Sequence, residues 1–111
     1  MNWKKLTEST QIEEIKELSF TKPVLIFKHS TRCPISSMSL DRLLRNWQPK
    51  DEEKVEPFYL DLIAFRNLSD QIEDDFGVTH ASPQVIILKD GQAVYDNSHM
   101  GISYREIMGQ V

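Results

Sequence analysis

The chain has 111 residues, 40% of them hydrophobic and 27% charged, with a formal net charge of −4. That length supports one domain, 1–111, with its own core and no metal or disulfide staples, in a composition ordinary for soluble proteins. The acidic balance argues against nucleic-acid or anionic-membrane partners, and no apolar run approaches the ~20 residues that span a bilayer.

Trp3 to Leu6 reads as a short edge strand. Ile12, Ile15 and Leu18 then recur at near-helical spacing, so Glu8 to Leu18 is an amphipathic helix, ended by Thr21-Lys22-Pro23. This N-terminal stretch is too acidic and too periodic for a signal peptide. Val24 to Lys28 is a strand apolar enough to be covered on both faces, as parallel strands usually are. A polar turn leads to Cys33 and Pro34, followed by a helix to about Trp47 that carries Leu40, Leu43 and Leu44. Pro34 fits the first helical turn, where its missing N–H costs nothing. Residues 49–54 read as a solvated charged loop.

Val55 to Leu60 is the next strand, closed by Asp61 as a cap or turn residue. A helix from near Asn67 carries Leu68, Ile72 and Phe76 on one face, with Gly77 placed to terminate it. Gln84 to Lys89 is an apolar strand, and Asp90-Gly91 is a strong hairpin signal that makes Ala93 to Asp96 its antiparallel partner. Tyr104, Ile107, Met108 and Val111 mark a last helix.

This order, (β)αβαβαββα, predicts an α/β fold with a mixed central sheet of four or five strands and about four flanking helices. The sheet is expected to be mostly parallel, with an antiparallel C-terminal hairpin. In such sheets the site lies at the carboxyl ends of the parallel strands, and Cys33 falls there. A thiol at a helix N-terminus sees the positive end of the helix dipole and unpaired N–H groups, and ionises more easily than a free cysteine. Since Cys33 is the one cysteine, any disulfide partner comes from another molecule, and a reducing cytoplasm is the expected location.

The segment IFKHSTRCPIS resembles the active-site turn of glutaredoxins, in the monothiol form Cys-x-x-Ser: Cys33-Pro34-Ile35-Ser36. Residues 76–85 resemble the stretch that carries the cis-proline of the thioredoxin fold, with Ser82-Pro83 as the cis bond, and Gly101 matches a glycine usual before the last helix. The resemblance covers nearly the whole chain and runs closest to the YtxJ family, the monothiol bacilliredoxin-like proteins of the bacillithiol redox system. It implies a thioredoxin-like fold and a monothiol thiol–disulfide oxidoreductase. In that reading Cys33 is the catalytic nucleophile, and Pro34, Ile35 and Ser36 form the turn that stabilises its thiolate.

The same resemblance places Ser82 and Pro83 against extended substrate. Arg32, next to the nucleophile, is the candidate for holding the carboxylates of a small thiol, which in bacillithiol belong to a malate group. Lys28 and His29 read as strand-end residues turned to solvent, Arg42 and Arg45 as an exposed helix face, and His80 as a loop histidine near the proline. One cysteine and three scattered histidines give no metal-ligand spacing. No bound cofactor is expected; bacillithiol enters as co-substrate, S-bacillithiolated proteins as substrates, and a small thiol or disulfide reductase as regenerating partner. Two other readings stay open: a redox sensor thiolated at Cys33 under stress, and a non-catalytic binding module using the same groove.

Overall fold

A computed structural model describes residues 3–111. Five strands form one sheet in the order β1-β3-β2-β4-β5, from β1 (Lys4–Lys5), β2 (Val24–His29), β3 (Glu56–Asp61), β4 (Gln84–Lys89) and β5 (Gln92–Ser98). Four α-helices flank it: α1 (Thr10–Leu18), α2 (Pro34–Asn46), α3 (Arg66–Phe76) and α4 (Tyr104–Gly109). The pairs β1–β3 and β2–β3 are parallel; β2–β4 and β4–β5 are antiparallel. Antiparallel pairing thus begins inside the sheet, one strand before the hairpin. The connection through α3 and residues 77–83 delivers the chain to the C-terminal end of β2, and β4 runs back from there, with Gln84 opposite Lys28.

Alternation along β2 divides the core. Val24 and Ile26 face a cluster with Ile12, Ile15, Leu68 and Ile72 from α1 and α3. Leu25 and Phe27 face the opposite cluster, with Leu43 and Ile107 from α2 and α4. All six β2 residues are buried, so the strand is covered on both sides, which is why it reads as a nearly unbroken apolar run.

The punctuation residues act as their chemistry dictates. Gly77 ends α3 in the left-handed region at φ 70°. Asp90 and Gly91 both take positive φ, 52° and 76°, as a two-residue hairpin turn requires. α1 starts at Thr10 rather than Glu8, because the Gln11 side chain accepts from the N–H groups of Thr7 and Glu8 (2.7 and 2.9 Å) and holds them in a turn.

Residues 49–54 depart most from expectation. Pro49–Glu53 is a 3₁₀ helix, and Asp51 within it is 2% exposed. Asp51 Oδ2 accepts from the Gln48 N–H at 2.8 Å and from the Tyr104 hydroxyl at 2.6 Å. The segment is therefore docked on α4 through Asp51, while Pro49, Lys50, Glu53 and Lys54 stay exposed as a solvated loop would. In a local reading its charges outweigh the partner 53 residues away.

Candidate functional site

Cys33 caps α2 at the C-terminal end of the sheet. Its own backbone is extended (φ −107°, ψ 116°), Pro34 occupies the first turn behind it, and that turn carries no acidic residue to offset the helix dipole. The Cys33 N–H donates to the Ser30 carbonyl and its carbonyl accepts from the Ser37 N–H, both at 3.1 Å. These two bonds fix the backbone while the side chain stays partly exposed. Pro34 and Ile35 are exposed beside it.

Ser36, three residues on, is completely buried. Its Oγ lies 2.6 Å from His29 Nδ1 and accepts from the Ser30 N–H at 3.1 Å. The hydroxyl thus ties the end of β2, the cysteine turn and the first turn of α2 together. His29 is 6% exposed, packed between the rings of Phe27 and Tyr59. Burial lowers its pKa against the opposing pull of Asp61 and Asp41, so near neutral pH the ring is uncharged and one nitrogen donates while the other accepts.

The Ser82-Pro83 peptide bond is cis, as the resemblance implied. It immediately precedes β4, the strand adjacent to β2, at the same end of the sheet as the cysteine turn. The Pro83 carbonyl accepts from the His99 N–H at 3.0 Å, whereas the Ser82 N–H and C=O make no backbone hydrogen bond among the described residues. An unpaired backbone of this kind is what an added strand needs. Gly101 owes its identity to crowding, since a Cβ there would run into the amide of Asn97. That amide is held by the Ser98 N–H at 2.8 Å and the Tyr95 hydroxyl at 3.3 Å.

The basic residues do not behave alike. Arg32 is exposed and without an ion pair among the described residues. Arg42, expected on an exposed face, is half-buried, and its Nη2 donates to the Ile102 carbonyl at 2.7 Å, clasping α2 to the turn before α4. Arg45 is exposed as expected.

Lys28 and His29, expected in solvent, are both buried. Lys28 lies under α3, its Nζ has no hydrogen-bond partner among the described residues, and its pKa falls from 10.5 to about 8. Desolvation causes that fall, and the carboxylates of Glu73 and Asp70 only partly offset it. The signal was available in β2 itself: a strand covered on both faces leaves no solvent side for its last two residues. His80, near the cis bond, is held 2.8 Å from Ser69 Oγ, and burial lowers its pKa. Asp61 acts as a turn residue, its Oδ1 accepting from the Ile63 N–H at 3.0 Å. No group of three or more His, Cys, Asp or Glu positioned to hold a metal occurs among the described residues, and no helix there is long and apolar enough to cross a membrane.

A parallel-then-antiparallel sheet, a cysteine at the start of the helix after its central strand and a cis-proline just before the neighbouring strand together define a thioredoxin-fold thiol protein. A solved structure described as having a thioredoxin fold, and assigned provisionally to the oxidoreductases, is similar at 30% identity. It superposes with a TM-score of 0.79 over 95% of this chain and 89% of its own. Thioredoxin Mala s 13 of Malassezia sympodialis (17% identity, TM-score 0.72, 98% of this chain and 87% of that one) shares the fold. So does mitochondrial thioredoxin 3 of Saccharomyces cerevisiae (19% identity, TM-score 0.69, 98% and 92%). A model of the monothiol bacilliredoxin BrxC family matches residues 4–107. The chain belongs to that family, and its function is in thiol redox chemistry.

Proposed function

We propose that the protein removes bacillithiol from S-bacillithiolated proteins by a monothiol route. The Cys33 thiolate attacks the bacillithiol sulfur of the mixed disulfide. A Cys33–bacillithiol disulfide forms, and the substrate's sulfur leaves as a thiolate that takes a proton from water. In this reading exposed Arg32, next to the nucleophile, meets a carboxylate of the small thiol, and the backbone of Ser82 beside cis-Pro83 pairs with the extended substrate. A second small-molecule thiolate, or a disulfide reductase, then attacks the capped Cys33. The two electrons come from that external thiol, Cys33 returns as thiolate, and the small thiol departs as a disulfide. Such chemistry fits a reducing cytoplasm.

The observation that carries this reading is the division of labour between positions 33 and 36. A partly exposed sulfur opens the helix, while the place three residues on is filled by a buried hydroxyl already bonded to His29 and Ser30. No internal disulfide can release the cap. The same observation supports a second reading, a sensor in which capped Cys33 persists as the signal. A mass-spectrometric turnover assay separates them. A bacillithiol-capped and a glutathione-capped protein are incubated with the chain and excess small thiol, with Cys33→Ala as control. Many uncapped substrates per chain, with bacillithiol preferred, support the enzyme. A single stoichiometric transfer supports the sensor, and equal action by Cys33→Ala refutes both.

A further inference from the structure

The face of α2 leading away from Cys33 carries a feature that thiol exchange alone does not use. Ile35, Met38 and Met100 are 47%, 62% and 67% exposed, large apolar side chains left in water. Met38 and Met100 line one depression with Arg42 and Arg45. Met100 and Arg42 also line the adjoining groove, of about 350 Å³, with Tyr104 and Arg105. The apolar patch therefore begins two residues from the nucleophile and runs into a cluster of guanidinium groups.

None of Arg32, Arg42, Arg45 and Arg105 forms an ion pair among the described residues, in a chain with 17 acidic side chains. Asp41 shares the depression but pairs with neither neighbour. Much of the acid lies on α1 and α3, across the sheet: Glu13, Glu14 and Glu17 on one, Asp70, Glu73 and Asp74 on the other. Around the thiol, α2, α4 and the cysteine turn thus carry Arg32, Arg42, Arg45 and Arg105 against Asp41 and Glu106, while α1 and α3 carry seven carboxylates against Lys16 and Arg66.

Charge and reach together select an occupant. Arg42 stands nine residues after Cys33 on one helix, about 13 Å along its axis. That is long for a small thiol bonded to Cys33 but only about four residues of extended polypeptide. Flexible, polarizable methionines suit a surface that meets many sequences, and arginines without an ion pair suit carboxylates, even though Arg42 gives its Nη2 to the Ile102 carbonyl.

We propose that this face of α2 and α4 docks the substrate protein, and that it selects mixed disulfides whose modified cysteine has Asp or Glu about four residues away. The proposal rests on the exchange reaction above. It adds which protein thiols are served: those in acidic surroundings, steered in by the basic side and kept off the acidic one.

The test uses cysteine peptides capped with bacillithiol, matched except for Asp, Asn or Lys four residues before or after the cysteine. Second-order transfer rates to Cys33 are read by stopped flow or quenched mass spectrometry at low and high salt. At low salt the Asp peptide is expected to react ~10-fold faster than Asn, and Lys slower than both, with the spread collapsing at 1 M salt, where the Debye length is about 3 Å. Arg45 and Arg105 are exposed and form no ion pair among the described residues, so Arg45→Glu with Arg105→Glu keeps the fold and should reverse the order to favour Lys. Equal rates for the three peptides, or an order the double variant leaves unchanged, would overturn the proposal while leaving the exchange reading intact. Absence of transfer from every peptide would end both.

Discussion

Lys28→Met should make the protein more stable at neutral pH. The Lys28 side chain is fully buried, its ammonium has no hydrogen-bond partner among the described residues, and its pKa is pushed down from 10.5 to about 8. That gap, about 2.5 pH units at about 1.36 kcal/mol each, corresponds to a cost of about 3 kcal/mol for burying the charge below pH 8. Methionine fills a similar volume without the charge. The gain at pH 7 should approach ~3 kcal/mol, or roughly 10 °C in Tm for a chain of this size. From about pH 8 to 10.5 the folded amine loses its proton while the unfolded one keeps it. The unfolded state then binds more protons, so the native protein gains stability with rising pH and the advantage of Lys28→Met shrinks. Thermal melts of both proteins by circular dichroism at pH 7 and 9.5 test this, and their difference cancels the titrating groups that do not feel the Lys28 charge. An unchanged or lower Tm at pH 7, or a difference that does not shrink at pH 9.5, would refute the reasoning.

Ser36→Cys puts a second sulfur one helical turn from the first, within disulfide reach. Intact-mass analysis after exposure to bacillithiol disulfide should then show an internal disulfide, and the natural chain under the same treatment a capped Cys33. Gly101→Ala drives a methyl into the pinned amide of Asn97 and should cost about 1–3 kcal/mol in urea unfolding. Tyr104→Phe removes the hydroxyl that satisfies buried Asp51 and should cost about 1–3 kcal/mol. That hydroxyl bond raises the Tyr104 pKa from 10.0 to about 12. The native protein should therefore lose stability between those values, as the unfolded tyrosine ionises first, and Tyr104→Phe should lack that loss. On the acid side, His29 and His80 both have lowered pKa values. Stability should be full above the ordinary histidine value of about 6.5 and fall below it, where the unfolded state takes up the protons first.

Features set by near neighbours in the chain were legible in the sequence. Val24 onward reads as a doubly covered strand, Gln84–Lys89 has its observed bounds, and Gly77 and Asp90-Gly91 turn where their chemistry says. The cysteine turn and the cis bond came through resemblance of short motifs. What stayed hidden depends on partners outside each residue's own element, except that the two-sided cover of β2 already implied buried ends. Asp51 is polar by any local measure, yet Tyr104 buries it. Lys28 is covered by α3, and His29 is drawn inward by Ser36. Ser36 reads as part of the turn that stabilises the thiolate, and only the fold shows its hydroxyl joined to His29 and Ser30.

The two margins of the sheet are guarded differently against other chains. β1 exposes only Lys4 and Lys5, too short and too charged to template a foreign strand. β5 is seven residues long, with Val94 48% exposed and Asp96 outside beside it. Asp96 occupies a gatekeeper's place there, and Asp96→Asn should lower the temperature at which the protein aggregates on heating.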